Sequence, residues 1–176
     1  MLAYLDFLFY KVGKQNVDFF LQQQQQDKFM SKRRKYSDVG FSKDLKWLSF
    51  ANARTIMDNE IVLDIDPLSG EYMEDFQERI VKVKKEILVE KEDKPDYWGI
   101  FQSNRGIHIH IWFNKMLYWD SEKRKRCRLT FIDKYKADKL KINEKVMIAL
   151  EGAPHWKSGK IKKLIEGDLD GYYGKI

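Results

Sequence analysis

The segment Ile61-Val62-Leu63-Asp64-Ile65-Asp66-Pro67 and the segment Gln102-Ser103-Asn104-Arg105-Gly106-Ile107-His108-Ile109-His110-Ile111-Trp112-Phe113 decide how this chain folds and where its chemistry lies. In an extended strand, residues two apart share a face. Asp64 and Asp66 are therefore expected to project together while Ile61, Leu63 and Ile65 fill the core. By the same period His108, His110 and Trp112 project together, and Ile107, Ile109, Ile111 and Phe113 point inward. Two strands that each carry a pair of ionisable groups on an apolar framework imply a chemical task. Paired carboxylates on a rigid strand suit a divalent metal, because hard cations such as Mg²⁺ take oxygen ligands held in fixed geometry.

Between these segments, Tyr72, Phe76, Ile80, Val83 and Ile87 recur at helical spacing, which predicts an amphipathic helix over Glu71–Glu90 with one face against a sheet. Pro67-Leu68-Ser69-Gly70 is a turn signal ahead of it, and Lys91–Asp96, containing Pro95, breaks it. Tyr97–Phe101 reads as a strand hairpinned through Gln102–Gly106 onto the histidine strand. Strand, helix, strand, turn, strand is the order of an RRM-like α/β unit. Downstream, Lys115–Arg128 reads as a polar, aromatic-bearing connection, Leu129–Asp133 and Val146–Leu150 as strands, and the tail from Glu166 as an acidic, Gly-containing stretch. Upstream, residues 1–45 read as a helical, partly flexible lead-in, with Gln22–Gln26 as a helix end or linker, and Met1–Tyr10 as a buried helix or strand. Trp47, Leu48 and Phe50 are expected to anchor the next segment to the core. The expected fold class is α/β (α+β), a mixed or antiparallel sheet flanked by helices, with residues 46–176 as the core of one compact domain.

Composition bounds the partners. At 176 residues, 43% hydrophobic and 34% charged, the chain suits one soluble core. Cys127 alone excludes a disulfide framework and a zinc cluster built from cysteines, and fits a reducing, cytoplasmic setting. The apolar Met1–Tyr10 stretch contains Asp6 and is too short to span a bilayer, so no membrane partner is expected. The net charge is +6, concentrated in Lys32–Lys35, Lys123–Arg128 and the group Lys157, Lys160, Lys162 and Lys163. Basic blocks of this kind serve a polyanion or a solvated surface, and their number around a metal-phosphate site favours nucleic acid.

The two opening segments, Phe131-Ile132-Asp133 and Ala153-Pro154-His155-Trp156-Lys157-Ser158-Gly159 resemble, in order, the four motifs of the archaeo-eukaryotic primase superfamily. The likeness is closest to the catalytic small subunit of archaeal primases. Those motifs are an hhhDhD strand, a turn and strand of the form SGNRGxHIHI, a third acidic residue after an apolar pair, and a PxSxHxKTG segment. The match spans over half of the chain. Gln102-Ser103 stands where the family has Ser-Gly, Glu151-Gly152 where it has a basic residue, and one residue is missing between Pro154 and His155.

The resemblance implies a primase-polymerase catalytic core that joins NTPs or dNTPs on single-stranded DNA with Mg²⁺ or Mn²⁺, together with a large primase subunit or a helicase. It implies Asp64, Asp66 and Asp133 as catalytic metal ligands. Ser103, Arg105, Gly106, His108, His155 and Lys157 would hold the nucleotide. Arg suits phosphate because its planar fork matches the oxygens, whereas Lys acts as a point charge. On the residues alone, Asp133 is equally a helix N-cap, His110 is open between a structural hydrogen bond and a site role, and Trp156 is the best stacking candidate among tryptophans that otherwise pack. Two other function classes remain. His108 and His110 with Tyr135 as nucleophile fit an HUH-type replication-initiation endonuclease, and the same scaffold could bind nucleic acid without catalysis.

Overall fold

The computed structural model describes residues 7–8, 17–25, 28–35, 50–88, 93–103 and 105–169. Among these residues it is a mixed α+β structure of two antiparallel sheets and two α-helices. Along the chain run β1 (Asp18–Gln25), β2 (Lys28–Lys35), β3 (Ala53–Thr55), β4 (Glu60–Ile65), α1 (Met73–Leu88), β5 (Tyr97–Gln102), β6 (Ile107–Trp112), α2 (Ser121–Tyr135), β7 (Met147–Ala149) and β8 (Lys163–Asp168). One sheet has the order β2-β1-β3-β7, the other β4-β6-β5-β8.

The second sheet is central, and its pleat divides the molecule. One face carries Ile61, Leu63, Ile65, Ile100, Ile109 and Ile111 against Phe76, Val83 and Ile87 of α1 and Phe131, Ile132 and Tyr135 of α2. Fully burying an aliphatic side chain of this size contributes about 1.5–3 kcal/mol, so this face is a major source of the fold's stability. The other face carries Phe101 and Trp112 against Phe7, Phe19 and Leu150, and Val62 against Ile56 and Ile148. The first sheet thus covers the face of the second that the helices leave open. Helix α1 keeps Glu74 and Asp75 in its first turn and Lys85 in its last, signs that complement the helix dipole.

Several expectations are corrected. Residues 18–25 and 28–35 are paired antiparallel strands, not a helical lead-in, and Gln22–Gln25 lie within β1, whereas Gln26 lies outside the described residues. The two strands are held by pairing that local propensity does not announce. β1 pairs with β3, and the Asn52 side chain accepts from the Gln22 N–H and donates to the Gln22 carbonyl, both at 2.9 Å, imitating a strand partner. Leu129–Asp133 is helical and belongs to α2. Asp120 caps that helix by accepting from the Lys123 N–H at 2.7 Å, and Arg128, Phe131, Ile132 and Tyr135 form its buried stripe. Phe50 is 60% exposed and anchors nothing, whereas Trp47 and Leu48 lie outside the described residues. Of the acidic stretch from Glu166, residues 166–168 fall in β8, paired to β5, and residues 170–176 lie outside the described residues. No helix among the described residues is long and apolar enough to cross a membrane.

Candidate active site

A cleft of about 350 Å³ opens where the two sheets meet. Its walls bring together the ends of β4 and β6 (Asp64, Asp66, His108), the β5–β6 turn (Ser103, Arg105) and the loop carrying His155 and Trp156. Six of the nine residues named from the sequence are among these seven. Gly106, Asp133 and Lys157 do not line the cleft.

The register explains the geometry. β4 and β6 pair with Asp64 opposite His108, so both side chains leave the same face toward the cleft. His108 Nε2 lies 3.1 Å from Asp64 Oδ1, and Lys141 Nζ lies 3.3 Å from Oδ2. Burial alone would raise the Asp64 carboxyl, yet the hydrogen bond from His108 and the ammonium of Lys141 hold it well below the usual carboxylate range. Burial, reinforced by the charge of Lys162, lowers His108, leaving a neutral ring at neutral pH that donates through Nε2 to Asp64. Its Nδ1 is buried without a hydrogen-bond partner. His108 is therefore engaged with the carboxylate through Nε2.

Asp66 is half exposed at the end of β4, with Arg105 Nη2 3.4 Å from its Oδ2. Arg79 Nη2 donates to the Asp66 carbonyl at 2.8 Å while pairing with Glu71, which fixes the backbone after the strand. Gly106 is required by close packing. A Cβ there would lie 2.2 Å from the Ile65 carbonyl oxygen and 2.7 Å from Asp66 Oδ1. The Ser103 hydroxyl accepts from the Gly106 N–H at 3.0 Å, closing the turn.

Asp133 is displaced from the site. It is exposed on the last turn of α2, in the helical layer on the far side of the sheet, and Lys139 Nζ lies 3.0 Å from it. The acid that reaches the Asp64 strand is Asp138. Its N–H donates to the Asp64 carbonyl at 2.9 Å, and its Oδ2 lies 3.5 Å from Lys141 Nζ. No group of three His, Cys, Asp or Glu side chains among the described residues is arranged to hold a metal ion. Two carboxylates on one strand, one of them held ionised, nevertheless fit the way Mg²⁺ is usually taken, by one or two carboxylates with substrate phosphates completing the shell.

On the far wall His155 and Trp156 stack, with ring centroids 6.0 Å apart at 26°. Lys157 is exposed and lies over the Trp156 ring at 4.8 Å, so it reaches the site only through that ring.

Beneath the cleft lies a cluster that the sequence reading missed. Arg54, Glu60, His110 and Glu151 are completely buried and Lys162 nearly so. Arg54 Nη2 lies 2.7 Å from Glu60 Oε1 and its Nε 3.0 Å from Glu151 Oε2. Lys162 Nζ is 2.8 Å from Glu151 Oε1 and 2.8 Å from His110 Nε2. Since Lys162 donates to Nε2, the proton of His110 sits on Nδ1, which donates to Glu60 Oε1 at 2.6 Å. His110 is thus structural, and Glu151 is the buried counter-ion of Arg54 and Lys162. Lys162 accordingly drops out of the basic surface, as do Arg124 and Arg128, which pair with Glu144. Trp112 is likewise fully buried core.

No protein-family model matches the chain, and comparison with curated proteins and with solved structures returns no significant match.

Proposed function

We propose that this chain is a nucleotidyltransferase of the primase-polymerase kind, built on an RRM-like core and joining NTPs or dNTPs on a single-stranded DNA template. The observation that carries the reading is the convergence of Asp64 and Asp66 with Arg105, His155 and Trp156 around one cleft. Carboxylates on one wall and a cation and aromatic rings on the others are what a nucleoside triphosphate requires.

Asp64 and Asp66 are the residues that would hold Mg²⁺ or Mn²⁺. The bound ion would neutralise phosphate charge and make the attacking hydroxyl easier to deprotonate. His108 and Lys141 keep Asp64 ionised and oriented. Arg105, which is 80% exposed at its side chain and tethered only at 3.4 Å to Asp66, is free to swing its guanidinium onto phosphate oxygens. Trp156 lines the cleft beside His155, where its indole is placed to meet a base, and Lys157 over its ring adds positive charge.

The endonuclease reading loses its nucleophile. Tyr135 packs among the buried residues of the helical layer, across the sheet from His108 and His110, and His110 is committed to Glu60 and Lys162.

The test is incorporation of labelled NTPs and dNTPs on single-stranded DNA, with and without primer, in Mg²⁺ and in Mn²⁺. Metal-dependent products from the wild type, lost in Asp64→Ala and in Asp66→Ala and retained in Asp133→Asn, are expected. Salt-sensitive DNA binding with no product under any condition would assign the chain to the non-catalytic binders, and a covalent DNA adduct lost in Tyr135→Phe would restore the endonuclease.

A further inference from the structure

Lys141 has no counterpart among the residues named from the sequence. It sits on a 3₁₀ turn, Lys139–Ile142, that Asp138 caps by accepting from the Leu140 N–H at 2.9 Å. Its side chain is only 12% exposed, and its ammonium lies between Asp64 Oδ2 at 3.3 Å and Asp138 Oδ2 at 3.5 Å. His108 already occupies Oδ1 of Asp64, so both carboxylate oxygens are engaged. Each oxygen keeps a second lone pair, but a cation bound there would sit beside the Lys141 ammonium, so its entry favours the departure of a donor.

The charges around the cleft bear on which one leaves. Lys141 and Arg105 each lie within 3.4 Å of an oxygen of Asp64 or Asp66, and Lys160 lines the same cleft; positive charge this close opposes entry of a bare divalent ion. An anionic substrate reverses that balance, and its phosphate oxygens offer the ammonium new acceptors, while Asp138 keeps one end of its tether.

We infer that Lys141 is a resident counter-cation of Asp64, so that the site takes a divalent metal together with an anionic nucleotide and resists the metal alone. The inference rests on the reading of Asp64 as a metal ligand. Lys141 acts here as a positioning residue, exchanging Asp64 for phosphate as the substrate arrives.

Mn²⁺ binding, followed by the loss of the free-ion electron paramagnetic resonance signal, tests this without turnover. Wild type, Lys141→Met, Lys141→Gln and Lys141→Arg are titrated with Mn²⁺, alone and with a non-hydrolysable nucleoside triphosphate, and Asp64→Asn is made in the wild-type and Lys141→Met backgrounds. Both neutral variants are expected to bind Mn²⁺ alone roughly tenfold more tightly than wild type, the scale of effect seen for residues that hold metal ligands. Lys141→Arg is expected to behave as wild type, the nucleotide to tighten Mn²⁺ binding in wild type, and Asp64→Asn to remove the gain of Lys141→Met. Neutral variants that bind no better than wild type, while Asp64→Asn still weakens binding, would overturn the role of Lys141 and leave the metal reading standing. Mn²⁺ binding indifferent to Asp64→Asn in both backgrounds would overturn the metal reading itself.

Discussion

His108 and Asp64 face each other across the β4–β6 register, with Nε2 of the imidazole 3.1 Å from Oδ1 of the carboxylate. The pair is placed by backbone hydrogen bonding, since the same register sets Leu63 opposite Ile109 and Ile65 opposite Ile107. A slip of one residue would turn both polar groups into the helical layer and the isoleucines into the cleft. The hydrophobic face that stabilises the sheet is therefore also what aligns the site.

His108→Ala is expected to lower kcat for nucleotide incorporation by roughly 10–100-fold, the usual effect of removing a hydrogen-bond partner from a metal-binding side chain. KM for the nucleotide should change much less, and His108→Gln, which can still donate toward Asp64, should recover part of the loss. Steady-state rates measured over a range of nucleotide concentrations separate the two constants. An increase confined to KM would instead make His108 a direct phosphate ligand.

Gly106→Ala is expected to destabilise the protein by about 1–3 kcal/mol, the range for overfilling a packed site. The clash is with backbone, the Ile65 carbonyl oxygen at 2.2 Å, so no side-chain rotation relieves it. Urea denaturation reads the loss directly. Gly70→Ala is the informative control, because its φ of 79° strains an added side chain but nothing lies within 4 Å of the new Cβ. The steric account requires the Gly106 variant to lose activity with stability and the Gly70 variant to lose stability alone.

Period-two alternation was enough to assign β4 and β6, their core faces and the outward residues Asp64, Asp66 and His108, because each strand is bounded by turn residues and has one face against helices. Helix α1 followed from its apolar spacing in the same way. For α2 the stripe Arg128, Phe131, Ile132 and Tyr135 was also present, but Leu129–Asp133 read as a strand because its apolar and β-branched residues suit either state. Glu60 could have been placed by extending the β4 face one step, since it precedes Val62 and Asp64 at the same period. Arg54, Glu151 and Lys162 could not. They meet Glu60 and His110 only when two sheets pack, across separations in the chain that carry no local signal.

Arg54→Met is expected to destabilise the fold by about 3–5 kcal/mol, because it leaves Glu60 and Glu151 buried with only Lys162 and His110 to answer two negative charges. That is a large share of the stability of a domain of this size. Lys84→Met removes a bridge to Glu166 that is 36% and 49% exposed at its two side chains, and should cost less than about 1 kcal/mol. Paired urea titrations of the two variants test the contrast. Equal, small losses would show that the buried cluster is hydrated.

Acid destabilises this fold through His110 before its carboxylates titrate. Burial, then the charge of Lys162, pushes His110 down to about 4 from an ordinary 6.5, against the pull of Glu151 and Glu60. Between those values the unfolded chain binds a proton that the folded chain refuses, so the stability His110 confers is whole above pH 6.5 and gone by pH 4. The interval corresponds to roughly 3 kcal/mol. Glu60 acts lower down: burial would raise it, but Arg54 holds it at about 2 against an ordinary 4.5, so its contribution is present above 4.5 and lost as the pH falls toward 2. Unfolding free energy measured in urea from pH 7 to pH 4 should therefore fall steeply in wild type. In His110→Gln the starting value should be lower and the slope shallower, with a residual slope from His108, which burial also lowers. Parallel curves for the two proteins would mean that His110 is reached by water and titrates alike in both states, and would sink the description of the cluster as a closed, neutral-histidine core.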